Sequence, residues 1–117
     1  MHELALAQAV VETITERTGD DQVVLVRLEI GKLSGVEVDA IRFCFDVVTA
    51  GTTVEGADLE IDEPSGQARC RSCGAACELS DLWGRCECGG IDLEVTSGDQ
   101  LRIQEVRVTT DVRDVRV

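Results

Sequence analysis

The chain has 117 residues, with 23 acidic against 11 basic side chains and a formal charge of −12. A chain of this length makes one domain, or a small domain carrying a minidomain, and buries roughly two-thirds of its unfolded surface, so a real core is available. The acidic excess weighs strongly against nucleic-acid binding, which needs Lys and Arg to neutralise phosphate, and sets the chain against an anionic membrane surface.

No segment approaches the ~20 apolar residues of a membrane span. Met1 to Ile14 lacks a basic leader and carries Glu3 and Glu12, so it is expected to be a helix of the folded protein, not a secretion signal. Six cysteines without an export signal then point to a reducing compartment, the cytoplasm, and to metal ligation over disulfides.

From Glu3 to Thr18 the apolar spacing predicts an amphipathic helix, its stripe formed by Leu4, Ala7, Val11 and Ile14 and widened by Leu6 and Val10. Gly19 is placed to end it. Val23 to Ile30 predicts a strand with Val24, Val26, Leu28 and Ile30 on one face and Arg27 and Glu29 on the other. Gly31 to Gly35 is a loop, and Ser34-Gly35-Val36-Glu37 matches a capping box that opens a second helix reaching about Thr49. Val38, Ile41, Phe45 and Val48 repeat at helical spacing there, with Cys44 beside them as a small buried hydrophobe.

After a turn over Gly51 to Gly56, Leu59 and Ile61 alternate with Asp58, Glu60 and Asp62 in a shorter strand that Pro64-Ser65-Gly66 stops. From Gln67 to Ser97 the chain is rich in cysteine and glycine and poor in large apolar residues, too poor to fold without a staple. Ile91, Leu93 and Val95 alternate, and Thr96-Ser97-Gly98-Asp99 marks a boundary. Leu101 to Val108 returns as a strand beside Val23 to Ile30, with a change of phase between Ile103 and Val106 that suggests a bulge near Glu105. Thr109 to Val117 fits either an edge strand or a frayed tail. This order predicts an α+β fold: a small mixed sheet covered on one face by two helices, with an inserted four-cysteine, zinc-ribbon-like domain. Residues 1–66 plus 99–117 would form the first domain and 67–98 the second.

Two motifs carry chemistry. Cys70-Arg71-Ser72-Cys73-Gly74 is a CxxCG knuckle, and Cys86-Glu87-Cys88-Gly89-Gly90 follows as a tighter CxC turn. Two such turns facing each other place Cys70, Cys73, Cys86 and Cys88 as a tetrahedral zinc shell. Cys77 is then either a spare fifth thiol or a replacement for Cys88. A shell filled by four cysteines has no open position for catalysis, and no glycine-rich phosphate loop or Ser/His/Asp set appears, so nothing reads as an enzyme.

The second motif is Met1-His2-Glu3, which holds the only histidine of the chain. The terminal amine, the His2 amide and His2 Nδ1 close two fused chelate rings in one plane, and the Glu3 amide or an outside ligand completes a square. That geometry suits Ni(II) or Cu(II). A helix starting at Glu3 leaves its first amides without intrahelical acceptors, so deprotonating one breaks no backbone hydrogen bond. Two other readings of the chain remain: a zinc-ribbon interaction module in which His2 plays no part, and a rubredoxin-like single-iron carrier.

The start MHE, the segment GKLSGVE after the first strand, the cysteine pairs and SGDQLRIQEV after them together resemble the HypA/HybF family, the nickel-insertion proteins of [NiFe]-hydrogenase maturation, across essentially the whole chain. The resemblance implies a nickel-binding α/β domain and a domain holding structural Zn(II) on Cys70, Cys73, Cys86 and Cys88. It implies that His2 supplies the nickel imidazole, that the His2 and Glu3 amides, and in some members the terminal amine (here of Met1), complete the set, and that Glu37 falls where some members carry an acidic residue near the nickel. It further implies a HypB-type GTPase as partner and the hydrogenase large subunit as recipient of Ni(II). An exposed edge strand leaves a homodimer open. The departures from the family pattern are the CxC second pair and the extra Cys77.

Overall fold

The structure is a computed structural model describing residues 2–109 and 114–115. The element order is α1 (Glu3–Thr18), β1 (Val23–Ile30), α2 (Val38–Thr49), β2 (Asp58–Asp62), β3 (Gly66–Cys70), β4 (Ala76–Leu79), β5 (Leu93–Ser97), β6 (Leu101–Val108) and β7 (Asp114–Val115). One sheet runs in the order β2-β1-β6-β7 and a second in the order β4-β3-β5. The fold is therefore α+β, and β6 does return beside β1. The chain divides into two compact units, one of Met1–Leu28, Val36–Ile61 and Arg102–Val117, the other of Glu29–Gly35 and Asp62–Leu101.

In the first unit α1 and α2 pack against each other. The buried side of α1 is Glu3, Ala7, Val10, Val11, Ile14 and Thr18, a stripe rotated from the expected one: Leu4 is 48% exposed. The spacing 3, 7, 10, 14, 18 tracks the helical period better than one that starts at Leu4, and it puts a carboxylate and a hydroxyl at the stripe's ends. Thr18 is satisfied by donating its hydroxyl to the Ile14 carbonyl at 2.8 Å, and the Gly19 amide closes the helix on Thr15 O at 2.9 Å.

The expected capping box does not form. α2 starts at Val38 with Glu37 as N-cap, and the Glu37 side chain makes no capping hydrogen bond. The Ser34 amide instead closes a turn on Gly31 O at 3.0 Å. The Glu37 amide is taken by the Glu3 carboxylate at 3.2 Å, so the start of α1 supplies the acceptor that a local cap would have offered. Ile41, Phe45 and Thr49 are buried, while Val38, Cys44 and Val48 are half-buried.

Strand β1 buries Val26, Leu28 and Ile30 as expected, but Val24 is exposed, and Val23 and Leu25 are buried instead. Burial of Leu25 and Val26 in succession means that both faces are covered at that point. The same occurs in β6, where Glu105 and Val106 are buried one after the other at the change of phase. Burying the Glu105 carboxylate would be costly if it were alone. Arg27 and Arg107 pair with it, the latter at 3.0 Å, and Arg27 also reaches Glu60 at 2.9 Å, so one charge network ties β2, β1 and β6. β7 pairs antiparallel with β6, matching Val115 to Val106 and Asp114 to Arg107. The rest of the expected edge strand or tail lies outside the described residues.

The second unit folds around an antiparallel sheet in which β3 pairs with β4 on one side and β5 on the other. Its small core is Leu33, Ala68 and Leu79, with Leu93 packed on it. Leu33 comes from the segment expected to be only a loop. Three glycines bring the strands at the base of this unit into backbone contact. A Cβ on Gly31 would lie 2.0 Å from Gly98 O, one on Gly98 would lie 2.3 Å from Gly66 Cα, and one on Gly66 would lie 2.0 Å from Leu33 Cδ1. The contact is sealed by Gly31 N–H to Gln100 O at 2.8 Å and Leu33 N–H to Gly98 O at 2.8 Å. Gly98 also has φ +101°, a conformation that side chains disfavour.

Gly98→Ala is therefore expected to destabilise the protein by about 3 kcal/mol, from overpacking plus backbone strain. Gly35→Ala, at φ +76° in open space, should cost about 1 kcal/mol. Urea midpoints of the two variants measure the difference; equal shifts would show that the backbone contact does not matter.

Candidate metal centres

Strand β3 delivers Cys70 to the end of the second unit's core, fully buried. The chain then turns back, with Gly74 N–H on Cys70 O at 2.8 Å and Cys70 N–H on Ala75 O at 2.9 Å, which carries Cys73 round to the same side. The second turn closes with Gly89 N–H on Cys86 O at 2.8 Å and Cys86 N–H on Gly90 O at 3.1 Å. The Sγ atoms of Cys70, Cys73, Cys86 and Cys88 lie within 4.8 Å of one another, and Cys77 is not among them. Both cysteines of the CxC turn thus bring their sulfurs inward. Glycine at position 90 permits this: a Cβ there would stand 3.1 Å from Cys70 Sγ and 3.3 Å from Cys88 Sγ.

A tetrahedron with Zn–S bonds of ~2.3 Å has sulfur–sulfur edges of ~3.8 Å. The pairs Cys73–Cys86 at 3.5 Å and Cys70–Cys88 at 3.7 Å fit that size, and all six cysteines are free of disulfides. A soft, four-sulfur donor set of these dimensions suits zinc.

The thiols divide sharply in acidity because four adjacent negative charges cannot coexist uncompensated. The Cys88 amide, followed by the Cys77 and Cys73 thiols, draws Cys86 down to about 6. The Cys73 amide likewise lowers Cys70. The Gly90 amide favours a Cys88 thiolate, yet Cys86, Cys73 and Cys70 outweigh it and push Cys88 up to about 12. Cys73 is raised in the same way, the pull of the Ala75 amide losing to Cys86 and Cys70. Cys77 is pushed up to about 11, by Cys86 first and then by burial.

Cys73 and Cys88 therefore keep their protons at neutral pH in the metal-free protein, and a bound cation must displace them. Zinc loading should release at least two protons per ion, those of Cys73 and Cys88, so the apparent zinc affinity rises with pH, by about a hundredfold or more between ~pH 6.5 and ~pH 7.5. Competition against a chelator of known pH dependence measures the slope, and a flat profile contradicts it.

At the other end of the sequence, His2 occupies the N-cap position of α1 and is exposed, its carbonyl accepting Leu6 N–H at 3.0 Å. Glu3 is the first helical residue, and its buried carboxylate holds the Glu37 amide, so His2-Glu3 and the start of α2 lie together within the first unit. Met1 lies outside the described residues. Two participants escaped sequence reasoning: Leu33 in the core of the cysteine unit, and the Glu3 clasp on α2. A leucine isolated between two glycines was the available signal for the first; nothing local signals the second. The loop between β4 and β5 carries Leu82 and the only tryptophan, Trp83, which is 88% exposed and so forms no aromatic cover over the sulfurs.

Comparison with known proteins gives the family. A family profile described as "Hydrogenase/urease nickel incorporation, metallochaperone, hypA" matches residues 1–108. The hydrogenase maturation factor HypA of Nostoc punctiforme is 46% identical over 108 residues, covering 92% of this chain and 96% of its own. That of Cupriavidus necator is 43% identical over 112 residues, covering 92% and 94%. The solution structure of the Ni metallochaperone HypA from Helicobacter pylori shares the fold, with TM-score 0.64, 19% identity, and coverage of 95% of this chain and 100% of that one. Fold and thiol shell together define a small α+β metal-binding protein. The chain belongs to the HypA family of nickel metallochaperones of hydrogenase maturation.

Proposed function

We propose that the chain picks up Ni(II) at its amino terminus and delivers it during [NiFe]-hydrogenase maturation, acting as a carrier and not as an enzyme. The observation that supports this best is the position of the only histidine: His2 is exposed and stands immediately before the first residue of α1. The Glu3 amide there belongs to a helix start, where amides have no intrahelical acceptor and the helix dipole favours negative charge. His2 Nδ1, the His2 and Glu3 amides and the Met1 amine would form the planar nitrogen set.

Glu3 itself would act by holding the helix starts in register, its carboxylate being already bonded to the Glu37 amide. Glu37 would then stand close to the cargo. An exposed site of exchangeable nitrogens suits release, with a Kd on the order of micromolar. The first unit would thus handle nickel while the second, stapled by Zn(II) on Cys70, Cys73, Cys86 and Cys88, would be structural. A HypB-type GTPase and the hydrogenase large subunit are the partners this role requires, and a homodimer is compatible with it. Six unpaired thiols, and no helix long and apolar enough to cross a membrane among the described residues, fit work in the cytoplasm.

The test is a nickel titration of the zinc-loaded, untagged chain against a version with one residue added before Met1. The extension should weaken nickel binding by about tenfold or more, because it removes the amine from the chelate, and leave zinc content unchanged. His2→Ala should do the same with the fold intact. Equal nickel affinity in all three overturns the proposal.

A further inference from the structure

Cys77 is absent from the four-sulfur shell yet shares a cavity with one member of it. It lies in β4, an edge strand of the β4-β3-β5 sheet, and its thiol is half-buried, donating toward Ala75 O at 3.9 Å. Cys77 and Cys86 line a common cavity of about 280 Å³ with Glu78, Arg85 and Glu87. Cys86 arrives on the loop after β4, held by its own tight turn and not by a sheet ladder, so its sulfur can swing toward the strand with few bonds broken. A water in the liquid takes about 30 Å³, so the cavity admits a small hydroperoxide. Arg85 offers a cation there to the oxygen that leaves.

We propose that Cys77 and Cys86 form an oxidant-reactive dithiol, a modification site at which hydroperoxide makes a disulfide and opens the metal shell. This rests on the reading of the four cysteines as zinc ligands. With those four sulfurs turned toward the ion, Cys77 is the thiol that shares a cavity with a ligand without being one, and it can attack without first leaving the metal. The Cys86 thiolate attacks the peroxide and the O–O bond breaks. Two electrons pass from sulfur to oxygen, leaving Cys86 sulfenic acid and an alkoxide or hydroxide that takes a proton from solvent. Cys77 then attacks the Cys86 sulfur, the S–O bond breaks, and the hydroxide leaves as water with the Cys77 proton. In sum, one thiolate, one thiol, one proton and one hydroperoxide give a disulfide, an alcohol (water, for hydrogen peroxide) and water. The shell loses one of its four sulfurs, and the ion is released.

The experiment treats the zinc-loaded full chain with hydrogen peroxide, follows released zinc with a chromogenic chelator, and maps disulfides by peptide mass spectrometry without reduction. The expected result is a Cys77–Cys86 bond formed in step with zinc release. Cys77→Ser and Cys77→Ala, changes at a half-buried position outside the shell, should bind zinc like the parent but release it about tenfold more slowly. Release from both variants at the parent's rate, or a Cys70–Cys73 or Cys86–Cys88 bond with Cys77 still reduced, overturns the proposal, as does a parent chain that keeps its zinc and thiols. Zinc content before oxidation tests the ligand assignment and the disulfide map tests this one, so the two fail separately.

Discussion

The second unit depends on three peptide backbones meeting where no side chain fits. Gly31, Gly98 and Gly66 each stand where a single added carbon would collide with the next segment. That contact fixes where the chain enters and leaves the cysteine unit, and it brings Leu33 down onto Ala68 and Leu79. Cys70 lies four residues beyond Gly66 along the same strand, so the first sulfur is placed by the glycine contact as well as by its own knuckle. Sheet, small core and thiol shell all hang from this one close approach.

The two ends of the chemistry differ in kind. In the second unit, four sulfurs are forced so close that their protons divide unequally, with Cys86 near 6 and Cys88 near 12. A bound divalent cation would resolve that conflict, and because the unit has so little apolar surface its binding energy would become folding energy. The amino-terminal end has the opposite character: a solvent-exposed imidazole beside amides that no helical carbonyl claims. The first arrangement suits an ion kept for stability, and the second, on the proposed function, one that is handed on.

Much of this was legible in the sequence because it rests on local period and spacing. The bounds of α1 and β1 follow from apolar repeats, and the cysteine pairs announce the shell they form. What could not be read depends on distant partners. The capping box at Ser34 is locally sound, but the Glu37 amide goes to Glu3, a residue 34 positions away. Leu4 matches the helical stripe on paper and is exposed, because Glu3 and Thr18 take the ends of the buried face. Strands β3 and β4 were missed because their burial is set by Leu33 and by pairing across the cysteine turns, neither of which leaves a period in the sequence. Cys77 was countable as a fifth thiol, but only the fold sets it beside Cys86.

The exposed indole has a practical side. The chain has one tryptophan and no tyrosine, so its intrinsic ultraviolet emission comes from a single ring on the loop between β4 and β5, already bathed in solvent. Far-ultraviolet dichroism sees the helices, and the lone emitter reports only on what approaches its own loop, which makes it a native reporter for titrating whatever docks beside the sulfur shell.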